Sequence, residues 1–340
     1  MNFLGKEIGK KSYPLFIAEI SCNHCGSIHN AKSLIHNAKR AGVDFVKIQV
    51  YTPDEMTLDC DKANFLITHG LWRGNNLFKF YEKTKTPPEW VPELFMYAKE
   101  IDIPIFSSVF GERSLEILEK NNCPAYKIAS YEFNHTPLLK AVASTGKPMV
   151  LSTGVATDND IRDNFHLLDK VNKLYMHCIS TYPCQLTETN LLRIRVMENI
   201  VGKHRVGFSD HSTNSTAAML AVALGAKIIE RHFYSPLFGE SEDAEFSMSE
   251  SAFKRMVDAV KGAYLACNSI VPLEQEGYKF KRSIYASAYI EKGGKFTSDN
   301  ISVVRPNGGM EPMFYSHLLD GNTANRNIEP GTPIVGDLLE

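Results

Sequence analysis

The stretch KIIERHF (227–233), preceded by GFSDHSTNS (207–215), decides how this chain folds. Each is a short run rich in β-formers that ends on a histidine, His211 in one and His232 in the other. Reading outward toward the N-terminus, runs of the same kind occur at LFIAEI (15–20), DFVKIQVY (44–51), IPIFSS (103–108), AYKIAS (125–130), PMVLST (148–153) and LYMHCIS (174–180). With HRVGFSD (204–210) as the seventh, KIIERHF is the eighth. Stretches with helical spacing separate them, among them HNAKSLIHNAKRAG, LFMYAKEI, RSLEILEK and TAAMLAVALGA. Strands alternating with helices indicate βαβ units and a parallel sheet. Eight such units predict a closed (β/α)8, or TIM, barrel with its helices outside. A doubly wound open sheet is the competitor, and the lack of a GxGxxG motif after the first run weighs against it.

Near residue 270 the pattern changes. KRSIYASAYIEKGGKFTSDNISVVRPNGGM has short strands, Gly-Gly turns and no long helical period. The expected organisation is a barrel over 1–270, a linker over 271–281 and a small β-rich unit over 282–340. A chain of 340 residues with 44% apolar and 22% charged residues has the composition of a globular enzyme rather than a disordered chain. Its net charge of −2 provides no basic face for tracking phosphates, so no nucleic-acid partner is expected. The N-terminal residues do not read as a signal peptide, and no apolar run reaches the roughly 18 residues of a membrane span. The seven cysteines then read as reduced thiols in a cytoplasmic protein.

Alternation along the strands places residues two apart on one face. If the apolar rows pack against helices, Glu19, Lys47, Gln49 and Lys127 point into the barrel. Lysines inside an apolar strand are costly unless matched by anions. One glutamate cannot match two lysines, so a bound anionic ligand is expected. Hydroxyls gather at the carboxyl ends of the same runs: Ser107, Ser108, Ser130, Ser152, Thr153, Ser180 and Ser209. Beside lysines they suit a phosphate or carboxylate, although turn chemistry explains any single one. His211 and His232, on what would be neighbouring strands, read either as satisfied strand-end histidines or as two ligands of one divalent ion with open positions. A cysteine-based site around Cys22, His24 and Cys25 lacks a second ligand pair at suitable spacing.

These residues carry a resemblance. FIAEISCNHCG, GVDFVKIQ, AYKIAS, LSTGVAT, MHCISTYP, GFSDHS, GAKIIERHF and FSM resemble, in order, the motifs of the sialic acid synthase family. That family condenses phosphoenolpyruvate with N-acetylated hexoses to make nonulosonic acids. The segment RSIYASAYIEKGGKFTSDNISVVRPNGG resembles the antifreeze-like (SAF, β-clip) domain that ends such synthases. VYTPDEMTL, GLWRGNNLFKFYEKTKTPPEW and the acidic ESED are similar to the pseudaminic acid synthase branch rather than the N-acetylneuraminate or legionaminate branches. Val109, Arg231 and FYSPLFGE depart from the usual patterns.

The resemblance implies roles. Lys47, Ser108, Lys127, Ser130, Ser152, Ser180 and Ser209 match phosphoenolpyruvate-binding positions, and His211 with His232 match the ligands of a divalent metal, manganese or else magnesium. Glu19 and Asp243 match catalytic carboxylates, and Gln49, Tyr182 and Arg305 match sugar-binding positions. Asp210 would support the site from nearby. Arg305 would come from the partner in a domain-swapped homodimer. Two further classes stay in view. A Schiff-base aldolase would use Lys47 or Lys127 covalently, and an ice- or sugar-binding protein would not need the lysine, serine and histidine set.

Overall fold

The computed structural model of the chain describes residues 1–269 and 276–340, so residues 271–275 of the expected linker lie outside the described residues. A short antiparallel hairpin, β1 (Asn2–Phe3) with β2 (Lys6–Glu7), comes first. Eight parallel strands follow: β3 (Leu15–Glu19), β4 (Phe45–Val50), β5 (Ile105–Val109), β6 (Tyr126–Ile128), β7 (Met149–Ser152), β8 (Lys173–His177), β9 (Val206–Asp210) and β10 (Ile228–His232). Each pairs with the next, and β10 pairs with β3 to close the barrel. The eight expected runs are these eight strands. Every residue in them is buried except Gln49, which is half-buried. Burial on both faces is what gives parallel strands their continuous apolar reading.

The helix Ile28–Arg40 shows how the outer layer is written into the sequence. Ser27 caps it by accepting the Asn30 backbone N–H, and Lys39 and Arg40 occupy the last turn, where the helix dipole favours cations. Ala31, Leu34, Ile35 and Ala38, at the three-and-four spacing of one helical face, are the residues it buries. A Leu34→Ala change in this face would cost about 2–5 kcal/mol.

The two ends of the barrel differ in chemistry. At the amino-terminal end, Phe3 of the hairpin meets Phe45 and Phe106 edge-on, with ring centres 5.2 and 5.8 Å away. This apolar plug closes the bottom. At the other end the register aligns Glu19 with both Lys47 and His232, Gln49 with Ser108, Ser108 with Lys127, and Ser209 with Glu230. Polar residues therefore share the inward row at the carboxyl ends of the strands, where barrel enzymes place their chemistry.

The chain divides into two compact units, Met1–Asn268 and Ser269–Glu340. The second is organised around β11 (Ser283–Ala286) paired antiparallel with β12 (Ile301–Val304) and a short helix, Tyr315–Leu319. It has its own core, including Ile284, Phe296, Ile301, Leu318 and Ile334. Among the described residues no helix is long and apolar enough to cross a membrane.

Candidate active site

Four charged side chains meet inside the barrel. Lys47 on β4 is paired with Glu19 on β3 and lies 3.7 Å from Glu230 on β10. Lys127 on β6 donates to Glu230 Oε1 at 3.0 Å. Lys47 also donates to Ser108 Oγ at 3.1 Å, and Ser209 Oγ donates to Glu230 Oε1 at 3.1 Å. Glu230 corrects the charge argument drawn from sequence. Two lysines face two carboxylates, so the cluster is neutral and no ligand is required by an unmatched lysine. Glu230 stands two residues before His232, so the sequence puts the two on one face of the strand, but it does not say that this face points inward.

The electrostatics follow from burial and pairing. Burial opposes the Glu230 charge, yet Lys127 and Lys47 outweigh it and hold the carboxyl down to about 2. Burial likewise opposes the Lys47 charge, but Glu19 and then Glu230 raise its affinity for the proton above the ordinary lysine value. Lys127 ends below the ordinary value: burial lowers it, Glu230 opposes that, and Lys47 adds to the lowering. Lys127 is thus the less firmly protonated ammonium of the two. Glu230 Oε2 is buried without a hydrogen-bond partner among the described residues, which leaves the cluster one unused acceptor.

Beside Lys127 lies a cradle of small donors. Ser130 Oγ accepts the Val155 N–H at 3.0 Å and the Ser180 hydroxyl at 3.2 Å. A Cβ on Gly154 would collide with Ser180 Oγ and come within 2.8 Å of Ser130 Oγ and 2.9 Å of Cys178 Sγ. Only glycine lets the backbone approach these side chains so closely. Ser152 ends β7 on the same inward row as Lys127, because Lys127 aligns with Val150. Glu132, just past Ser130, was not among the residues singled out from sequence. Burial pushes its carboxyl up to about 7, and Oε2 has no hydrogen-bond partner among the described residues.

The two histidines stand at the mouth with ring centres 5.7 Å apart. His211 Nδ1 lies 2.8 Å from the Ile179 carbonyl oxygen, which can only accept, so the ring proton sits on Nδ1 and Nε2 keeps its lone pair. Burial first, and the neighbouring His232 second, lower the His211 pKa to about 3, so the ring is neutral at physiological pH. His232 Nδ1 approaches Asp243 Oδ2 to 3.1 Å but makes no hydrogen bond in that arrangement. A neutral imidazole with a free lone pair, beside an orphaned imidazole nitrogen and a carboxylate, is a donor set that fits a divalent cation. Among the described residues no three histidine, cysteine or carboxylate side chains already converge as a closed metal centre. A cation here would keep open positions.

Rings and loops build the rim. Tyr182 packs 4.3 Å from His211, and Phe246 packs 4.8 Å from His232 and 5.0 Å from Tyr182. Trp72 extends this wall, 5.4 Å from Tyr182 and 6.1 Å from Phe246. Its indole N–H donates to the Glu242 carbonyl at 2.9 Å, and Lys83 pairs with the Glu242 carboxylate. The loop carrying Asp243 is fixed from below as well: Asn23 Nδ2 donates to Phe233 O and to Ser247 Oγ at 3.0 Å each.

Not every expected residue joins this assembly. Asp210 faces outward, where its carboxylate binds Arg231 at 2.5 Å, both of them buried. The same guanidinium holds Asn214 O at 2.9 Å, which ties the His211 loop to β10. Gln49 lies on the inward row beside Ser108. Arg305 belongs to the second unit, exposed just after β12.

Residues 34–271 match the model of the NeuB family, and residues 281–340 match the SAF domain. The chain belongs to the NeuB family. A pseudaminic acid synthase of Helicobacter pylori is 39% identical over 96% of this chain and 98% of its own length. One from Campylobacter jejuni is 41% identical over 93% of both chains. Among solved structures, the spore coat polysaccharide biosynthesis protein SpsE of Bacillus subtilis is 32% identical and superimposes with a TM-score of 0.67, covering 100% of this chain and 99% of that one. The similarity to these NeuB-family proteins spans barrel and SAF domain together.

Proposed function

We propose that this protein condenses phosphoenolpyruvate with 2,4-diacetamido-2,4,6-trideoxy-altrose, taken as its open-chain aldehyde, to give pseudaminic acid and phosphate. The observation that carries this reading is the similarity to proteins named pseudaminic acid synthase, at 39% and 41% identity along nearly the whole chain. A relative named N,N'-diacetyllegionaminic acid synthase stands lower, at 29%. The alternatives to test are the N-acetylated hexoses that would give N-acetylneuraminate or legionaminate.

The chemistry assigned to the residues follows their placement. Lys127, Ser130, Ser152, Ser180 and the backbone at Gly154 hold the phosphate and carboxylate of the donor, with Lys47, Ser108 and Ser209 on its other side. Gln49, Tyr182 and Asp243 receive the sugar. Carbon 3 of phosphoenolpyruvate forms a bond to the aldehyde carbon, whose oxygen takes up a proton. Water then adds at carbon 2 and gives up a proton, and the carbon–oxygen bond to phosphate breaks. Glu19, paired with the Lys47 ammonium, handles these protons, while Glu230 stays ionised and holds Lys127 in place. His211 and His232, with Asp243 beside them, would hold a divalent cation, manganese or else magnesium, which when bound supplies a Lewis acid for the aldehyde oxygen. The proposal includes a cytoplasmic, domain-swapped homodimer in which Arg305 reaches the partner subunit's mouth.

Phosphate release from phosphoenolpyruvate, followed with a panel of diacetamido and monoacetamido hexoses, tests the reading. Turnover should be highest with the 2,4-diacetamido-2,4,6-trideoxy acceptor, vanish with chelator and return with manganese. A borohydride-trapped adduct on Lys47 or Lys127 would instead establish the aldolase reading.

A further inference from the structure

The aromatic wall at the mouth is built from parts that the donor and cation do not use. It runs outward from the two histidines: His211 and His232 touch Tyr182 and Phe246, and these touch Trp72. Phe80 backs Trp72 from behind, 5.5 Å away. The indole has one polar atom, and that N–H is already satisfied by the Glu242 carbonyl. Trp72 therefore offers a bound molecule only its apolar face. Two segments far apart in sequence meet here, because the loop before Leu77–Thr84 supplies the ring and the loop after β10 supplies the carbonyl that fixes it. The Lys83–Glu242 pair is a second tie between the same two segments.

We infer that Trp72 is a specificity-determining residue which reads the deoxygenated end of the acceptor. The inference rests on the proposed condensation, which puts the aldehyde carbon at the histidine pair and so directs the far end of the six-carbon chain out along the wall. A methyl group at carbon 6 lies against a ring face without loss. A hydroxyl there gives up water and finds no partner on a face whose only donor is spent. An apolar pocket rejects an added hydroxyl by roughly 10- to 100-fold and not much more. Tyr182 and Phe246 already serve the sugar's near end and the histidines, so the selectivity for carbon 6 belongs to Trp72.

The test compares kcat/KM for the 6-deoxy diacetamido acceptor with that for its 6-hydroxy counterpart, in wild type, Trp72→Phe and Trp72→Ala. Wild type should favour the deoxy sugar by roughly 10- to 100-fold. Trp72→Phe, which keeps an apolar face, should retain most of that preference, and Trp72→Ala should bring the ratio close to unity while leaving the KM for phosphoenolpyruvate unchanged. A Trp72→Ala enzyme that slows equally with both acceptors, or keeps the wild-type ratio, overturns the inference and leaves the condensation standing. Wild-type enzyme that releases no phosphate with any acceptor in the presence of manganese overturns both.

Discussion

Replacing Glu230 by glutamine removes one charge from the barrel interior and almost none of the volume, and its consequences can be worked out from the cluster. The carboxyl is held at about 2 because Lys127 and Lys47 together outweigh the burial that opposes its charge. Against an ordinary glutamate near 4.5, that is about 2.5 pH units, or roughly 3 kcal/mol of stability at neutral pH. The ion-pair argument agrees, since removing one partner of a buried pair costs about 3–5 kcal/mol. Lys127 has no other carboxylate within salt-bridge distance among the described residues, so Glu230→Gln strands it. Thermal unfolding at pH 7 should shift down by about 6–12 °C, at roughly 2–4 °C per kcal/mol for a unit of this size. The sign with pH is fixed: a depressed carboxyl stabilises above its unfolded value and loses that contribution as pH falls toward its folded one. The gap between wild type and variant should therefore narrow below about pH 4.5. The variant's mouth also carries one more positive charge, so phosphoenolpyruvate should bind it more tightly even as turnover falls. A midpoint within about 2 °C of wild type at pH 7, or a gap that does not change with pH, would refute the reasoning.

Other perturbations probe separate parts of the site. Gly154→Ala drives a methyl into Ser130, Ser180 and Cys178, an overpacking of about 1–3 kcal/mol, and should raise the KM for phosphoenolpyruvate at least several-fold with an unchanged circular dichroism spectrum; an unaltered donor KM contradicts the cradle. His24 is lowered from 6.5 to about 4 by burial, so its neutral form supports the fold above pH 6.5 and that support, roughly 3 kcal/mol, is lost as pH falls toward 4. His24→Gln, which can still accept the Gly26 N–H, should flatten this acid-side loss in urea titrations, and identical pH profiles would show the ring is not its source. Mixing Arg305→Ala subunits with Lys127→Met subunits should restore phosphate release through mixed dimers; no recovery after verified subunit exchange counts against the swapped assembly.

Much of the site was legible because parallel strands leave a clear trace. Lys47 and Lys127 stood out as charges in otherwise apolar runs, and period-two alternation sent them inward with Glu19. The hydroxyls and histidines marked the carboxyl ends of strands that turned out to be neighbours. Glu230 and Arg231 were harder, because adjacent charged residues on one strand must face opposite ways and only the register settles which. Glu230 faces Lys127 inside the barrel, while Arg231 faces Asp210 outside it. Asp210 therefore braces the His211 loop from the outer side. Gly154 and Trp72 had no legible role: one matters for a side chain it lacks, the other for a carbonyl found about 170 residues away.

The sequence by itself determined the eight-unit barrel, the separate β-rich unit after it and the chemical types at the mouth. Each of these depends on periodicity and composition, which act over a few residues at a time. Tertiary structure alone decided the charge balance, the approach of His232 to both His211 and Asp243, and the clasp between the Trp72 and Glu242 loops. Those features depend on which atoms from distant segments come within a few ångströms of each other, and closure of the barrel sets that.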